Sequence, residues 1–457
     1  MEITDWAAEG KAIARSGEMV IFVKDAIPGD IVNMKVKRKR NYAEGFVTEL
    51  VKPSPMSAVP FCRHFDDCGG CVCQRMPYTE QLKYKEKQVV DQLRRIGKIS
   101  DPPVSVIIPS KNTEFYRNKL EFTFSCKRWL TKSEMSVEQD ERNCNALGFH
   151  VAGRFDKVLD IENCSLQKSP SNEIRNRAKT YALSKGYSFF DVKNKTGLLR
   201  NLIIRTSSTG ETMVIVVFAQ NDESAITCLM EMLKGEFDIH SLNYIVNTKG
   251  NDSIHDQNVI LYAGKPCIEE KMENLTFRIG PKSFYQTNSE QAHNLYRVVR
   301  EYAELKGDET VYDLYTGTGT IANFLAGGAR KVVGIEYVPE AVEDAKINSA
   351  LNKIDNTLFY SGDIKDIMTK TFIKHNGTPD TVVLDPPRAG LHPSIPETLM
   401  DAAPSKIIYV SCNPATQARD ISMLASEYEL VASQPVDMFP HTHHVENVAL
   451  LRKIHTF

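Results

Sequence analysis

The hydrophobic and polar positions of the chain fall into three textures. Near the start, Ile13, Met19–Val23, Asp30–Val36 and Gly45–Val51 are short runs rich in β-branched residues. Ser16-Gly17, Pro28-Gly29 and Asn41–Glu44 interrupt them as turns. This pattern predicts a small all-β module over residues 1–55. Pro53, Pro55 and Pro60 then mark a linker into a central segment, 56–275, of mixed α and β patterns. Within it Thr79–Arg95 reads as a polar, Lys-rich helix, and Leu202–Thr206 and Thr212–Ala219 read as strands. Met213–Phe218 is apolar enough to be buried, and Ser224–Lys234 is an amphipathic helix. From 276 to 457 strands alternate with helices. Thr310–Leu314, Lys331–Glu336, Thr381–Asp385 and Lys406–Ser411 are the strands, and Ala341–Asn352 is one of the helices. Such alternation predicts βαβ units and a parallel sheet, whose sites lie at the carboxyl ends of the strands.

Composition bounds this picture without redirecting it. With 457 residues, 42% of them hydrophobic and 25% charged, the chain has the make-up of a globular protein of two or three domains. No apolar run approaches the ~20 residues of a membrane helix. The first residues lack a basic stretch followed by an apolar one, so a cytoplasmic location is expected. Ten cysteines there point to metal binding or catalysis rather than to disulfides. The net charge of −2 does not advertise a nucleic-acid partner, but Lys35, Lys37, Arg38, Lys39 and Arg40 cluster beside Tyr42. Basic residues next to an aromatic ring can grip phosphates and stack on a base; a solvated strand face is the competing reading.

Two groups of motifs carry chemistry. Val311–Thr320 is a strand running into a turn, in which Gly317 and Gly319 let the backbone approach a ligand. The turn lacks the third glycine of a dinucleotide fingerprint. Glu336 ends the next strand, where a carboxylate can accept the ribose hydroxyls of an adenosine, and Asp363 follows a third strand and suits the adenine edge. The layout resembles a class I S-adenosylmethionine methyltransferase; an NAD-dependent dehydrogenase is the alternative. The second group is Asp385-Pro-Pro-Arg-Ala-Gly390, Ser411-Cys-Asn-Pro414 and His441-Thr-His-His-Val-Glu446. A proline-stiffened loop after a strand can lie against a planar base. Cys412 at a strand end can serve as a nucleophile. Carbon 5 of uracil becomes nucleophilic only after a thiolate adds at carbon 6, and a base must later remove the carbon 5 proton. Glu446 is the candidate base. The histidines 441, 443 and 444 read as hydrogen-bonding loop residues rather than metal ligands.

With Ser283-Phe-Tyr-Gln-Thr-Asn288 added, these motifs occur in the order of the RNA uracil-5 methyltransferase family, which the chain resembles over most of 280–450. The resemblance implies Cys412 as nucleophile, Glu446 as general base and Asp385 as the group orienting the uracil. It implies S-adenosylmethionine contacts from Gln286, Tyr315, Gly317, Glu336, Asp363 and Asp385. Thr316-Gly-Thr-Gly-Thr320 departs from the Cys-Gly-x-Gly-Asn of many members, so a cofactor contact from Thr320 is not carried over. Residues 1–55 resemble the TRAM domain, a small RNA-binding β-barrel.

Cys62-x5-Cys68-x2-Cys71 is a dense thiol loop with a single C-x-x-C, which suits a [4Fe–4S] cluster better than structural zinc. Either Cys73 or a distant cysteine could complete it; the family resemblance points to Cys164. The expected architecture is therefore α/β: an N-terminal TRAM-like barrel, a central α+β iron–sulfur domain and a C-terminal Rossmann-like methyltransferase domain. The expected partner is RNA, with 23S rRNA preferred to the T-loop of tRNA, no membrane, and a monomeric enzyme. An RNA-binding protein with a degenerate transferase domain, and a methyltransferase of exocyclic amines, are the competing classes.

Overall fold

The structure, a computed structural model, describes residues 1–131, 134–136 and 144–454. These form two compact units: Met1–Phe61, Val72–Thr113 and Glu290–Phe457 make the first, and Cys62–Cys71 and Glu114–Ser289 make the second.

The first unit opens with β1 (Asp5–Trp6), β2 (Ala12–Ser16), β3 (Met19–Lys24), β4 (Ile31–Arg38) and β5 (Ala43–Lys52), in the order β1-β2-β3-β5-β4. Alternating Ala12, Ala14, Ile21, Val23 and Val32 face a small core, as the period of two demands. A bridge between Glu2 and Ile31 ties the start of the chain to β4 at the far edge of the sheet.

Helix α1 (Tyr78–Arg95) departs from the central segment in which the sequence pattern put it. It is polar overall, yet its Val89 and Leu93 are fully buried in the core of the C-terminal sheet. Burial of two such side chains contributes about 1.5–3 kcal/mol each, enough to dock the helix there.

The second unit holds β6 (Lys119–Ser125), β7 (Arg128–Trp129), β8 (Ala146–Val151), β9 (Arg154–Asp160), α2 (Ser171–Ser184), β10 (Leu199–Thr206), β11 (Thr212–Phe218), α3 (Glu223–Glu236), β12 (Ser241–Val246) and β13 (Val259–Gly264). Among the described residues, β6 to β13 form one mixed eight-stranded sheet, ordered β13-β12-β11-β10-β6-β8-β9-β7. β11 is buried along its whole length, as its apolar run predicts. β14 (Ile268–Met272) and β15 (Leu275–Ile279) form a separate hairpin.

The rest of the first unit is α4 (Ser289–Ala303), β16 (Thr310–Leu314), α5 (Thr320–Ala326), β17 (Lys331–Glu336), α6 (Pro339–Leu351), β18 (Thr357–Ser361), α7 (Ile364–Ile367), α8 (Lys370–Asn376), β19 (Thr381–Leu384), α9 (Ile395–Ala402), β20 (Lys406–Ser411), α10 (Pro414–Leu424), β21 (Tyr428–Val436) and β22 (Glu446–Lys453). The sheet order is β18-β17-β16-β19-β20-β22-β21. β16 to β20 are mutually parallel, and β22 runs antiparallel to both of its neighbours. Among the described residues no helix is long and apolar enough to cross a membrane.

Candidate active site

The register of the seven-stranded sheet brings the sequence motifs together. Leu314 pairs with Ile335 and with Leu384, so Tyr315, Glu336 and Asp385 emerge side by side at the carboxyl ends of β16, β17 and β19. In the antiparallel ladder of β20 and β22, Ser411 pairs with Asn447. The next opposed positions are Cys412 and Glu446. Buried polar groups lock this register. Asn447 donates to the Gln417 side chain at 2.7 Å, Gln417 donates to the carbonyl of Tyr409 at 2.7 Å, and the Ser433 hydroxyl donates to Asn447 at 3.0 Å.

On the cofactor side, Tyr315, Gly317 and Gly319 all have positive φ, at 66°, 55° and 74°. The turn is therefore a left-handed backbone excursion, which glycine adopts freely and Tyr315 adopts under constraint. Gly319 is also sterically required: a Cβ there would lie 2.8 Å from the Ala345 side chain. The Glu336 carboxylate accepts the N–H of Gly317 at 3.0 Å and that of Val338 at 2.9 Å. It is thus pinned beside the turn while staying partly exposed. Asp363 accepts the N–H of Lys365 and pairs with its ammonium, which lowers its pKa. The buried Asp313 accepts from the Thr316 hydroxyl at 2.5 Å. Gln286 lies in the second unit, largely buried, with its carbonyl accepting from Asn118 at 2.9 Å.

On the reaction side, Cys412 and Asp385 are half-buried and Glu446 is only 4% exposed. Burial, then the charges of Glu446 and Asp385, pushes the Cys412 thiol up to about 11, while Arg388 opposes the rise by charge and by a hydrogen bond to the thiol. Burial and then Asp385 push Glu446 up to about 8, again opposed by Arg388. Asp385 rises to about 7 through burial and the nearby Asp313. Shifts of this size in a carboxylate set beside a thiol are those of a reaction centre more often than of a structural cluster.

The sequence reading did not single out Arg388, although it closes the Asp-Pro-Pro-Arg motif. Its signal was a cation placed next to an expected nucleophile. Its carbonyl accepts from Asn413 at 3.1 Å and from Thr416 at 3.3 Å. Asn413 also caps α10, accepting the N–H of Ala415. The Cys412 loop and the Pro-Pro loop are thereby tied together. Thiol, carboxyl and guanidinium within reach of one another's charge can supply a nucleophile, a proton acceptor and a stabilising positive charge.

The other expected ligand set lies in the second unit. The thiols of Cys62, Cys68 and Cys164 interact electrostatically, and burial raises Cys68 to about 11 and also raises Cys164. Cys71 belongs to the same unit, whereas Cys73 is buried in the first unit beside Lys85 and Asp437. Among the described residues no three metal-ligating side chains close on one point.

The chain is similar to known proteins over most of its length. The family model described as tRNA (Uracil-5-)-methyltransferase matches residues 204–454. An uncharacterized RNA methyltransferase of Bacteroides thetaiotaomicron is 56% identical over 450 residues, covering 97% of this chain and 99% of the relative. One from Chlorobaculum tepidum is 36% identical, covering 99% and 96%. The crystal structure of Pyrococcus abyssi tRNA (uracil-54, C5)-methyltransferase in complex with S-adenosyl-L-homocysteine superposes with a TM-score of 0.75, at 30% identity over 99% of both chains. The chain therefore belongs to the tRNA (uracil-5-)-methyltransferase family and is an RNA methyltransferase.

Proposed function

We propose that the protein methylates carbon 5 of a uridine in RNA by covalent catalysis at Cys412. The observation that carries the reading is that the β20–β22 ladder, paired up to Ser411 and Asn447, brings Cys412 and Glu446 close enough to interact by charge, with Arg388 acting on both. Tyr315, Gly317, Glu336, Asp363 and Asp385 line the carboxyl ends of the strands, where S-adenosylmethionine would bind. When bound, S-adenosylmethionine supplies an electrophilic methyl group. Asp385, held near pH 7 in a proton-sharing range, orients the uracil edge. Arg388 favours the thiolate of Cys412; with its proton lost to solvent, the thiolate adds to carbon 6 and places the electron pair of the ring at carbon 5. Carbon 5 takes the methyl group as the methyl–sulfur bond breaks, which leaves S-adenosylhomocysteine. Glu446 then removes the carbon 5 proton, and the electron pair left behind expels the Cys412 thiolate.

RNA carrying 5-fluorouridine tests the chemistry, because fluorine cannot leave as a proton. The parent enzyme forms an adduct stable to denaturant, and Cys412→Ala forms none. Glu446→Gln accumulates the same adduct on ordinary uridine. An adduct on Cys412→Ala would remove the nucleophile assignment.

For the substrate we propose 23S rRNA. The basic, aromatic-flanked β4–β5 face supports an RNA-binding role for the N-terminal module as a TRAM-like barrel, and so does the bridge that returns to β4. The family resemblance makes Cys62, Cys68, Cys71 and Cys164 the ligands of a [4Fe–4S] cluster with a structural role, since methyl transfer needs no electron; the interaction of Cys62, Cys68 and Cys164 supports this, although their side chains do not close on one point. A tRNA T-loop uridine is the second reading, favoured by the likeness to the tRNA (uracil-54) enzyme over nearly the whole chain. Mapping methylated uridines in rRNA and tRNA with and without the gene separates the two.

A further inference from the structure

The segment between β21 and β22 is held by groups that the proposed chemistry does not use. Lys85 and Asp437 form a buried ion pair, with Nζ 2.5 Å from Oδ1 and side chains 5% and 0% exposed. Lys85 also donates to the carbonyl of Phe439 at 3.0 Å. The Tyr78 hydroxyl donates to the second carboxylate oxygen of Asp437 at 2.7 Å. Gln81 accepts the N–H of His441 at 2.9 Å, and its own amide lies 3.2 Å from Nδ1 of that ring. The N–H groups of Val72 and Cys73 donate to the carbonyl of His441 at 2.8 and 3.1 Å. Tyr78, Gln81 and Lys85 fall on one face of α1, spaced by three and four.

His441 has φ 64°, a left-handed conformation that is uncommon outside glycine and that these contacts help to hold. Asp437 directly follows Val436, the ladder partner of Glu446. At the other end of the segment, His444 lies 3.4 Å from the guanidinium of Arg388. Apolar side chains of similar volume often stabilise a fold as well as a buried ion pair does, so a pair buried this fully beside the 437–445 loop points to positioning.

We propose that Lys85, through Asp437 and with Tyr78 and Gln81, is a positioning residue for the methyl transfer. It fixes the 437–445 loop so that Glu446 stands at carbon 5 of the bound uridine. The inference rests on the reading of Glu446 as the base. It extends the working catalytic unit to a helix that lies outside the residues matched by the family model.

The test is single turnover of the full-length protein with labelled S-adenosylmethionine and unmethylated total RNA from cells lacking the gene. Formation and release of the covalent protein–RNA complex are followed on denaturing gels. Lys85→Met alone leaves a buried charge, so Lys85→Met with Asp437→Asn removes both charges together, and Tyr78→Phe removes one hydrogen bond. The double variant should form the complex at the parental rate, release it about tenfold more slowly and bind S-adenosylmethionine as the parent does. Tyr78→Phe should show the same defect, smaller. A purely structural role would slow formation and release alike and weaken cofactor binding; that result, or parental release from folded variants, overturns the proposal. Glu446→Gln is the control: if it traps complex while the Lys85 variant does not, only this inference falls, and if it does not trap, the assignment of the base falls with it.

Discussion

At the scale of single residues, Cys412, Glu446, Asp385 and Arg388 are set by burial and by one another's charge. Glu446 has the clearest consequence for stability. Its carboxyl ordinarily titrates near 4.5 and is raised to about 8 in the fold. Between these values the folded protein keeps a proton that the unfolded chain has released, so stability falls as pH rises from about 4.5 to about 8. Glu446→Gln removes this contribution, and its melting temperature should decline less than the parent's between pH 5 and 8. A parallel decline would contradict the raised pKa. If Glu446 is the base, as proposed, catalysis has the opposite sign, because it must be ionised: product release should speed up as pH approaches 8. Replacing Arg388 by Met removes the charge that opposes both rises. The pH–rate profile should then move to higher pH, with the rate at pH 7.5 lower by about tenfold or more. Methyl-transfer rates across pH 6–9 check this.

At the scale of elements, the Gly317–Gly319 turn and the N-terminal sheet each make a demand. Gly317 and Gly319 share a left-handed backbone but differ in space. A Cβ at Gly317 meets nothing within 4 Å, whereas one at Gly319 collides with Ala345 at 2.8 Å. Gly317→Ala should therefore cost only about 1–2 kcal/mol of backbone strain. Gly319→Ala should add an overpacking cost of about 1–3 kcal/mol and displace α5. Thermal melts and calorimetry with S-adenosylmethionine should separate the two variants; equal effects would rule out the packing argument. On β4, Lys35, Lys37 and Arg38 are exposed, and Lys39 is paired with Glu44 at 3.4 Å. Tyr42 packs edge-on to Phe22 with ring centroids 5.6 Å apart and stays exposed. If this face meets phosphates, replacing Lys35, Lys37 and Arg38 by Ala flattens the salt dependence of RNA binding by roughly 0.7–0.9 per lost contact. An unchanged slope would leave the face as a solvated strand.

At the scale of the whole molecule, the two units divide the chemistry expected from the sequence. The strand-end motifs of 310–446 lie in the first, and Cys62, Cys68, Cys71 and Cys164 in the second. Protein purified without oxygen should be brown and carry about four irons per chain, and Cys164→Ala should lose them. Colourless protein with one zinc would replace the cluster. The first unit also absorbs residues 72–113, which local pattern had placed in the middle domain. Pattern reported the polarity of α1 correctly, but it could not report that Val89 and Leu93 pack under a sheet formed more than two hundred residues later in the chain.

The boundary between sequence and tertiary structure follows the range of the forces involved. Strands such as Thr310–Leu314, Lys331–Glu336 and Lys406–Ser411 are where the apolar runs put them, because burial on both faces of a parallel sheet is written in consecutive residues. The motif residues were equally legible, since a Gly turn, a Pro-Pro loop and a Cys-Asn-Pro turn are local chemistry. What only the fold decided are relations between distant groups. The β20–β22 ladder sets Cys412 against Glu446. The Asp385 loop carries Arg388 to the thiol, and Lys85 meets Asp437 across 352 residues. Such pairings depend on register and packing, which no short stretch of sequence encodes by itself.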